Sequence, residues 1–134
     1  SSIDFYPTLL DLAGIRKPKK GTLDGISLAP LLSGQGYLEE RDLFWHYPHY
    51  SNQGGFPGGA IRRGDYKLVE RYEDGRLHLY DLSTDLGEKV DLKANHPELV
   101  ASMKESLHNW YLEVDAQFLR AKADGPKPWH PEAN

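Results

Sequence analysis

Apolar residues at the start of the chain recur at helical spacing. Between residues 4 and 13 they form one stripe, made of Phe5, Leu9, Leu12 and Ala13. Asp4 is placed to cap this helix, and Pro7 lies in the first turn, where a missing N–H costs little. Gly14 suits its C-terminal end. The pattern therefore predicts a first helix over 4–13.

A second helical turn is predicted in ISLAPLLSG (26–34), with Ser27 as its cap. The polar connector GIRKPKKGTLDG (14–25) separates it from the first helix. Two short helices bury little apolar surface between them, and most helical stability in proteins comes from tertiary packing. Residues 1–36 are therefore predicted to be a helical segment that packs on another surface.

From Leu43 the hydrophobic period changes from helical to β. DLFWHY (42–47) is short and aromatic, as strands tend to be. GAIRRGDYKLVERYEDGRLHLYDL (59–82) contains three further runs, within which apolar and polar residues alternate. The dipeptide GD (64–65) and the tripeptide EDG (73–75) are tight-turn sequences between these runs. The pattern predicts an antiparallel meander of about four strands.

An amphipathic helix is predicted after the sheet, over 96–117. Its apolar positions are spaced at helical intervals: Leu99, Met103, Leu107, Trp110 and Val114. Asn95 followed by Glu98 is a capping-box signature. The predicted fold class is α+β, an antiparallel sheet packed on a C-terminal amphipathic helix and preceded by a short helical segment. The sheet and helix make up a domain at 37–120, and residues 121–134 form an extended, Pro-rich tail.

Composition and charge narrow the functional classes. The length of 134 residues fits one domain, and the 39% hydrophobic fraction can build a modest core. The net charge of −4 gives no general attraction to nucleic acid or to anionic membranes, so neither is expected as a partner. No apolar run approaches the roughly 18 residues of a membrane-spanning helix. The chain has no cysteine, which excludes a thiol nucleophile, a disulfide framework and a zinc knuckle.

The most unusual chemistry is HYPHY (46–50), which is followed by the glycine-rich SNQGGFPGG (51–59). The histidines lack metal-ligand spacing such as HExxH, and on a strand His46 and His49 would point to opposite faces. Two other readings remain. His46 packs beneath the sheet, or His46, His49 and Tyr50 bind a ligand through imidazole and phenol groups while the glycines admit it closely.

No catalytic residue is assigned. The phosphate-binding motif GxGxxG, the P-loop and the nucleophile motif GxSxG are all absent from the sequence. Ser27 and Ser51 have no evident base and orienting acid. The residues alone therefore predict neither a catalytic site nor a metal site.

Several short motifs occur in a specific order and spacing. They are SSIDFYPTLLDLAG, LDGISLAPLLSG, RDLFWHYPHY, IRRGDYKLVERYEDGRLHLYDLSTDLGEKVDL and HPELV…LHNW. The strongest parts are GDYKL (64–68), LYDL (79–82) and Gly87-Glu88 before Asp91-Leu92. Over residues 1–117 this order resembles the C-terminal third of type I sulfatases, in the alkaline phosphatase superfamily. The HYPHY variant resembles the arylsulfatase A and N-acetylgalactosamine-6-sulfatase-like group. Two residues depart from the family, Leu86 where Pro is frequent and Asp91 where Asn is frequent.

The resemblance implies chemistry that this chain does not contain. In the family, a Cys or Ser of a C/S-x-P-x-R motif becomes the formylglycine nucleophile, and Asp and Asn side chains hold calcium. Both lie in an N-terminal catalytic domain. Because no serine here begins S-x-P-x-R, that domain is expected as a missing partner, with both cofactors. This chain alone is expected to be inactive.

For the complete enzyme, which in this family is often exported, the resemblance implies hydrolysis of sulfate esters on sulfated glycans. This region would complete the fold and position the substrate through His46, His49 and Tyr50. Two alternatives from other classes stay open, a free-standing glycan- or protein-binding module and a purely structural cap. The apolar stripe of the first helix also predicts that the isolated chain either self-associates through this segment or has this segment poorly ordered.

Overall fold

The computed structural model describes most of the chain. The described residues are 1–16, 23–52, 54–125 and 127–131. Parts of the predicted connector and tail, and Gln53 of the glycine-rich loop, lie outside them. The chain divides into two compact units, Ser1–Glu40 and Arg41–Asn134.

The first unit is helical, as the sequence predicts. A 3₁₀ turn at Ser2–Asp4 leads into α1 (Phe5–Leu12), and α2 is a single turn at Ala29–Leu32. Gly14 adopts φ +65°, a conformation that glycine enters without steric cost, and the Ile15 N–H donates to the Leu10 carbonyl. The predicted C-terminal end of α1 is therefore confirmed.

The predicted caps of these helices are only partly correct. Asp4 occupies the N-cap position of α1 but makes no capping hydrogen bond with its side chain. Its carboxylate is buried and instead accepts the Ile26 N–H at 3.0 Å. The Ser27 hydroxyl accepts the Ala29 N–H at 3.2 Å, although Leu28 is the N-cap residue of α2. Asp4 thus ties two segments of the unit together and does not cap α1.

The apolar stripe predicted for α1 lies on the surface of the described chain. Its members Phe5, Leu9 and Leu12 are exposed, whereas Pro7 and Thr8 are the buried residues of α1. The Thr8 hydroxyl donates to the Asp4 carbonyl at 2.5 Å and accepts the Leu28 N–H at 2.9 Å. This unit is consequently held together by polar contacts, and its largest apolar side chains point outward.

The second unit contains the predicted four-stranded antiparallel meander. Its strands are β1 (Leu43–Tyr47), β2 (Gly58–Arg63), β3 (Tyr66–Arg71) and β4 (Leu77–Asp81), paired in chain order. The β2–β3 turn has φ +56° at Gly64, which suits the first central position of a two-residue hairpin turn. The α+β fold class is confirmed.

One face of the sheet carries the core, and we call it the inner face. Helix α3 (Pro97–Glu113) packs on it. The buried apolar cluster consists of Ile61, Leu68, Tyr72, Leu79, Met103, Leu107 and Tyr111. Phe44, Ile61, Leu68 and Leu79 lie side by side across the four strands. Phe44 also stacks on Trp110 of α3, with ring centroids 5.1 Å apart.

Helix α3 differs from its prediction at both ends. It begins after His96, which makes no capping bond with its side chain, so the capping box predicted at Asn95 is wrong. It ends at Glu113 because the chain leaves helical geometry at Asp115, where φ is +50°. Val114 is therefore exposed, and Tyr111 is the buried aromatic residue of the last turn. Among the described residues, no helix is long and apolar enough to cross a membrane.

Candidate functional site

The loop between β1 and β2 leaves the sheet at the same end as the β3–β4 turn. The Tyr50 hydroxyl donates to the Glu73 carboxylate at 3.1 Å, and the Arg71 guanidinium donates to the same carboxylate. Arg71 also lies over the Phe56 ring, 4.5 Å from its centroid. The loop and the neighbouring turn thus form one connected surface.

The charges on this surface are fixed by their hydrogen bonds. Donation from Arg71, and then from Tyr50, lowers the pKa of Glu73. Donation to Glu73 raises the pKa of Tyr50, so the phenol keeps its proton at neutral pH. The tyrosine ring is nevertheless 65% exposed, so it remains accessible to a ligand.

The predicted ligand-binding residues His46, His49 and Tyr50 do not share one environment. His49 is exposed, and its ring meets only Tyr47 edge-on, with centroids 5.6 Å apart. Within the described part of the chain, the His49 imidazole makes no hydrogen bond. His49 and Tyr50 therefore both present polar groups at the loop surface.

His46 instead lies on the inner face, and both of its ring nitrogens are engaged. Nε2 is 2.8 Å from the Gln117 carbonyl, and Nδ1 is 2.6 Å from the Tyr72 hydroxyl. Because a carbonyl can only accept, Nε2 carries the hydrogen, and Nδ1 accepts from Tyr72. Burial lowers the pKa of His46; the bond to Gln117 opposes this shift, and the charge of His49 adds to it. With this geometry His46 packs beneath the sheet, which is the first of the two readings given by the sequence.

Behind His46 lies a buried polar cluster that sequence reasoning missed. Glu70 is 0% exposed, and its carboxylate accepts from His108 Nε2 at 2.8 Å and from the Tyr111 hydroxyl at 3.2 Å. Burial raises the pKa of both Tyr72 and Tyr111, so their hydroxyls stay protonated. The alternation along β3 did carry a signal, because Glu70 lies two residues after Leu68 and therefore on the same face, which the helix covers.

Gly59 makes room for this cluster. It pairs with His46 on one side and Glu70 on the other, also on the inner face. A Cβ atom at this position would lie 2.5 Å from the Tyr72 hydroxyl and closer still to that of Tyr111. The last glycine of the glycine-rich loop is thus required by packing and not by loop flexibility.

Neither cofactor implied by the family resemblance fits the residues of this chain. No three His, Asp or Glu side chains of the described ranges come together closely enough to hold a metal ion. The sequence has no cysteine and no S-x-P-x-R motif from which formylglycine could form. What the loop offers is hydrogen-bonding groups and aromatic faces.

Fold and loop together define an α+β sheet-and-helix domain with a polar, aromatic loop at one end of the sheet. Residues 1–113 match the family model described as "N-sulphoglucosamine sulphohydrolase, C-terminal". The chain belongs to this family of sulfatase C-terminal regions.

Individual relatives agree with this assignment. The chain is 38% identical to a sulfatase of Formosa agariphila over 129 residues, 86% of this chain and 23% of that protein. It is 35% identical to human arylsulfatase A over 133 residues, 78% of this chain and 25% of that protein. The chain thus spans about a quarter of the length of these relatives.

Solved structures show the same fold. BT1596, a 2-O GAG sulfatase, superposes with a TM-score of 0.68 and 29% identity, covering 96% of this chain and 29% of that one. BT4656, solved in complex with its substrate D-glucosamine-2-N,6-O-disulfate, gives a TM-score of 0.67 and 27% identity, covering 84% and 24%. In both, the matched region is a minor part of a longer chain.

Proposed function

We propose that this chain is the C-terminal region of a sulfatase whose complete form hydrolyses sulfate esters on sulfated glycans. The family match over residues 1–113 carries the proposal. It is supported by the relatives, which are sulfatases about four times as long as the matched region. The formylglycine nucleophile and the calcium ion would both belong to the catalytic domain of the complete enzyme.

Within that enzyme, the loop after β1 would contact the substrate through His49 and Tyr50. An exposed imidazole can donate to or accept from a sugar hydroxyl, and an aromatic ring can stack on a sugar face. The bond from Tyr50 to Glu73 supports this role because it limits the freedom of the ring before substrate arrives. His46, also predicted at the substrate, would act indirectly by holding the end of β1.

The exposed stripe of α1 supports a second contact. Phe5, Leu9 and Leu12 present large apolar side chains on one helix. We propose that this stripe packs on the catalytic domain of the complete enzyme, which would remove it from water. The same stripe should drive self-association of the isolated chain, and light scattering after size exclusion would detect it. A Leu9→Glu variant should then be monomeric, and an unchanged mass would contradict this role.

Activity measurements test the central proposal. The 134-residue chain should not hydrolyse an aryl sulfate and should not bind calcium in calorimetry, because its sequence lacks the nucleophile motif and its described residues bring no set of metal ligands together. A longer natural form that includes the preceding catalytic domain should hydrolyse it. Turnover by the pure short chain, or none by the long form with formylglycine confirmed by mass spectrometry, would refute the proposal.

Substitution of the loop in the long form tests the positioning role. His49→Ala should raise KM about tenfold on a sulfated glycan, because one charge-assisted or two neutral hydrogen bonds are lost. Its kcat on a small aryl sulfate should stay unchanged, since the nucleophile is untouched. His78→Asn, on the strand farthest from β1, is the matched control. Unaltered kcat/KM on every sulfated glycan would assign the loop to the purely structural cap.

A further inference from the structure

A second concave site lies away from the β1–β2 loop. A half-open cavity of about 620 Å³ is formed by the last turns of α3, the segment that follows the helix and the end of the tail. The residues used below are His108, Asp115, Phe118, Arg120 and His130, all of which line it. Its volume falls within the range of small-molecule sites in proteins.

One lining residue is a histidine that is hydrogen-bonded to a buried carboxylate. His108 Nε2 donates to Glu70 at 2.8 Å, and Glu70 has no exposed surface. In the neutral ring the hydrogen therefore sits on Nε2, and Nδ1 is a lone-pair acceptor. Nothing else in the described part of the chain is hydrogen-bonded to Nδ1. The ring is thus oriented, with one acceptor nitrogen left for a ligand.

Another residue of the cavity lining is an aspartate in an unfavourable backbone conformation. Asp115 has φ +50°, at a helix end where glycine is the residue with the least strain. The Gln117 side chain donates to the Asp115 carbonyl at 3.1 Å, and the Gln117 carbonyl is bound by His46 at 2.8 Å. Gln117 therefore links Asp115 to His46 of β1. Glycine would adopt the φ of residue 115 with less strain, so the aspartate gives the backbone of the fold no advantage.

The lining also contains aromatic and cationic groups. Phe118 and His130 meet edge-on, with ring centroids 4.8 Å apart, and Arg120 lies beside them on the lining. Among the described residues, neither the Asp115 carboxylate nor the Arg120 guanidinium has an ion-pair or hydrogen-bond partner. One cavity therefore offers a carboxylate, a guanidinium, an imidazole nitrogen and an aromatic wall.

We propose that this cavity binds one sugar unit of a sulfated glycan at a distance from the reacting sulfate. Asp115 and His108 Nδ1 would accept from sugar hydroxyls, Phe118 would contact the apolar face of the ring, and Arg120 would bind the sulfate. The choice of a sulfated sugar rests on the proposed function. The cavity itself lies wholly within residues 108–131.

The test measures binding to the 134-residue chain by NMR, with N-acetylglucosamine 6-sulfate as the probe and N-acetylglucosamine and inorganic sulfate as comparisons. The sulfated sugar should shift the amides of residues 115–120. Asp115→Gly should raise the unfolding midpoint by about 2 °C, since the strain is relieved, yet weaken binding about tenfold. Asp115→Asn, which keeps the shape but loses the charge, should weaken it less.

Arg120→Gln should weaken binding of N-acetylglucosamine 6-sulfate until it equals the binding of N-acetylglucosamine. The affinity for N-acetylglucosamine itself should not change. Arg62→Gln, an exposed arginine on β2, is the matched control and should change neither. Amide shifts confined to residues 48–59, equal binding of inorganic sulfate, or wild-type affinity in Asp115→Gly would each overturn the proposal. Because no readout is an activity, binding here without sulfatase activity in the long form would refute only the proposed function.

Discussion

Replacing Gly59 by alanine probes the buried polar cluster with a single methyl group. The φ of this strand residue lies outside the left-handed region, so alanine brings no strain of that kind. The new Cβ would nevertheless lie 2.5 Å from the Tyr72 hydroxyl and still nearer to the Tyr111 hydroxyl. Tyr72 is 0% and Tyr111 2% exposed, and both rings belong to the core cluster, so moving either one disturbs its packed neighbours. The methyl group must displace at least one hydroxyl.

The sign of the effect follows from comparing three contributions. Restricting the unfolded chain by a Gly→Ala change would stabilise the fold by about 0.4–1 kcal/mol. Inserting a methyl group into a packed core costs about 1–3 kcal/mol. Displacing the Tyr111 hydroxyl leaves a buried oxygen of Glu70 without that donor, which costs a further 1–3 kcal/mol or so. We expect a net loss of about 3 kcal/mol, a large part of the roughly 5–15 kcal/mol of a typical domain.

Urea unfolding followed by tryptophan fluorescence measures this loss. Trp45, Trp110 and Trp129 all lie in the second unit, so the signal reports on the sheet and its helix. With an m-value of about 1.5 kcal/mol per molar urea, the midpoint should fall by about 2 M. Gly87→Ala is the matched control, because its new Cβ would meet only the flexible Lys89 side chain at 3.2 Å.

A double-mutant cycle separates the hydroxyl contact from a general packing effect. Tyr111→Phe removes the atom nearest to the new methyl group, so Gly59→Ala should cost at least about 1 kcal/mol less in that background. An equal cost in both backgrounds would show that the Tyr111 hydroxyl is not the obstacle. A Gly59→Ala variant as stable as the parent would refute the packing argument altogether.

Three further outcomes are expected. His46→Phe should lower the free energy of unfolding at pH 7 by about 2–3 kcal/mol in urea titrations, because Tyr72 and Gln117 lose their partner. The lowered pKa of His46 means that the unfolded chain binds its proton more tightly. The stability that His46 contributes is therefore intact above pH 6.5, the ordinary pKa of a histidine, and is lost as the pH falls below that value. That part of the pH dependence should be absent from His46→Phe, and identical pH profiles would contradict the assignment. Arg63→Lys should cost about 1–2 kcal/mol, because lysine cannot replace the two bonds of the guanidinium to Asp42, at 2.9 and 2.5 Å. A thermal midpoint unchanged in that variant would show that this ion pair contributes little.

The sheet was largely predictable because local sequence patterns define its strands. Alternating apolar residues and two tight turns fix β2, β3 and β4 and their pairing without reference to distant parts of the chain, and the aromatic run at 43–47 adds β1 across a longer loop. Helix α3 was predictable in its centre and not at its ends. The stop at Glu113 depends on Asp115 entering a left-handed conformation, for which aspartate gives a weaker signal than glycine.

The buried contacts that support the candidate site were harder to predict, since their members come from distant parts of the sequence. His46 meets Gln117 across 71 positions, and Glu70 meets Tyr111 across 41. No local pattern reports such contacts. Glu70 shows the difficulty most clearly, because a glutamate among apolar alternating residues reads as an irregularity until the histidine and tyrosine that bind it are placed.

These buried contacts also bear on how the exposed loop would work. The loop residues His49 and Tyr50 are mounted on β1, whose end is bound by His46 to Tyr72 and, through Gln117, to the segment after α3. A side chain that positions a substrate must itself be held, and the hydrogen-bonded end of β1 beneath the loop would provide that support. Substitutions at His46 and His49 should therefore differ in kind. Loss of His49 should remove one proposed contact with substrate and leave the protein stable. Loss of His46 should loosen the end of β1, which carries the loop, and the segment around Gln117 that lines the cavity.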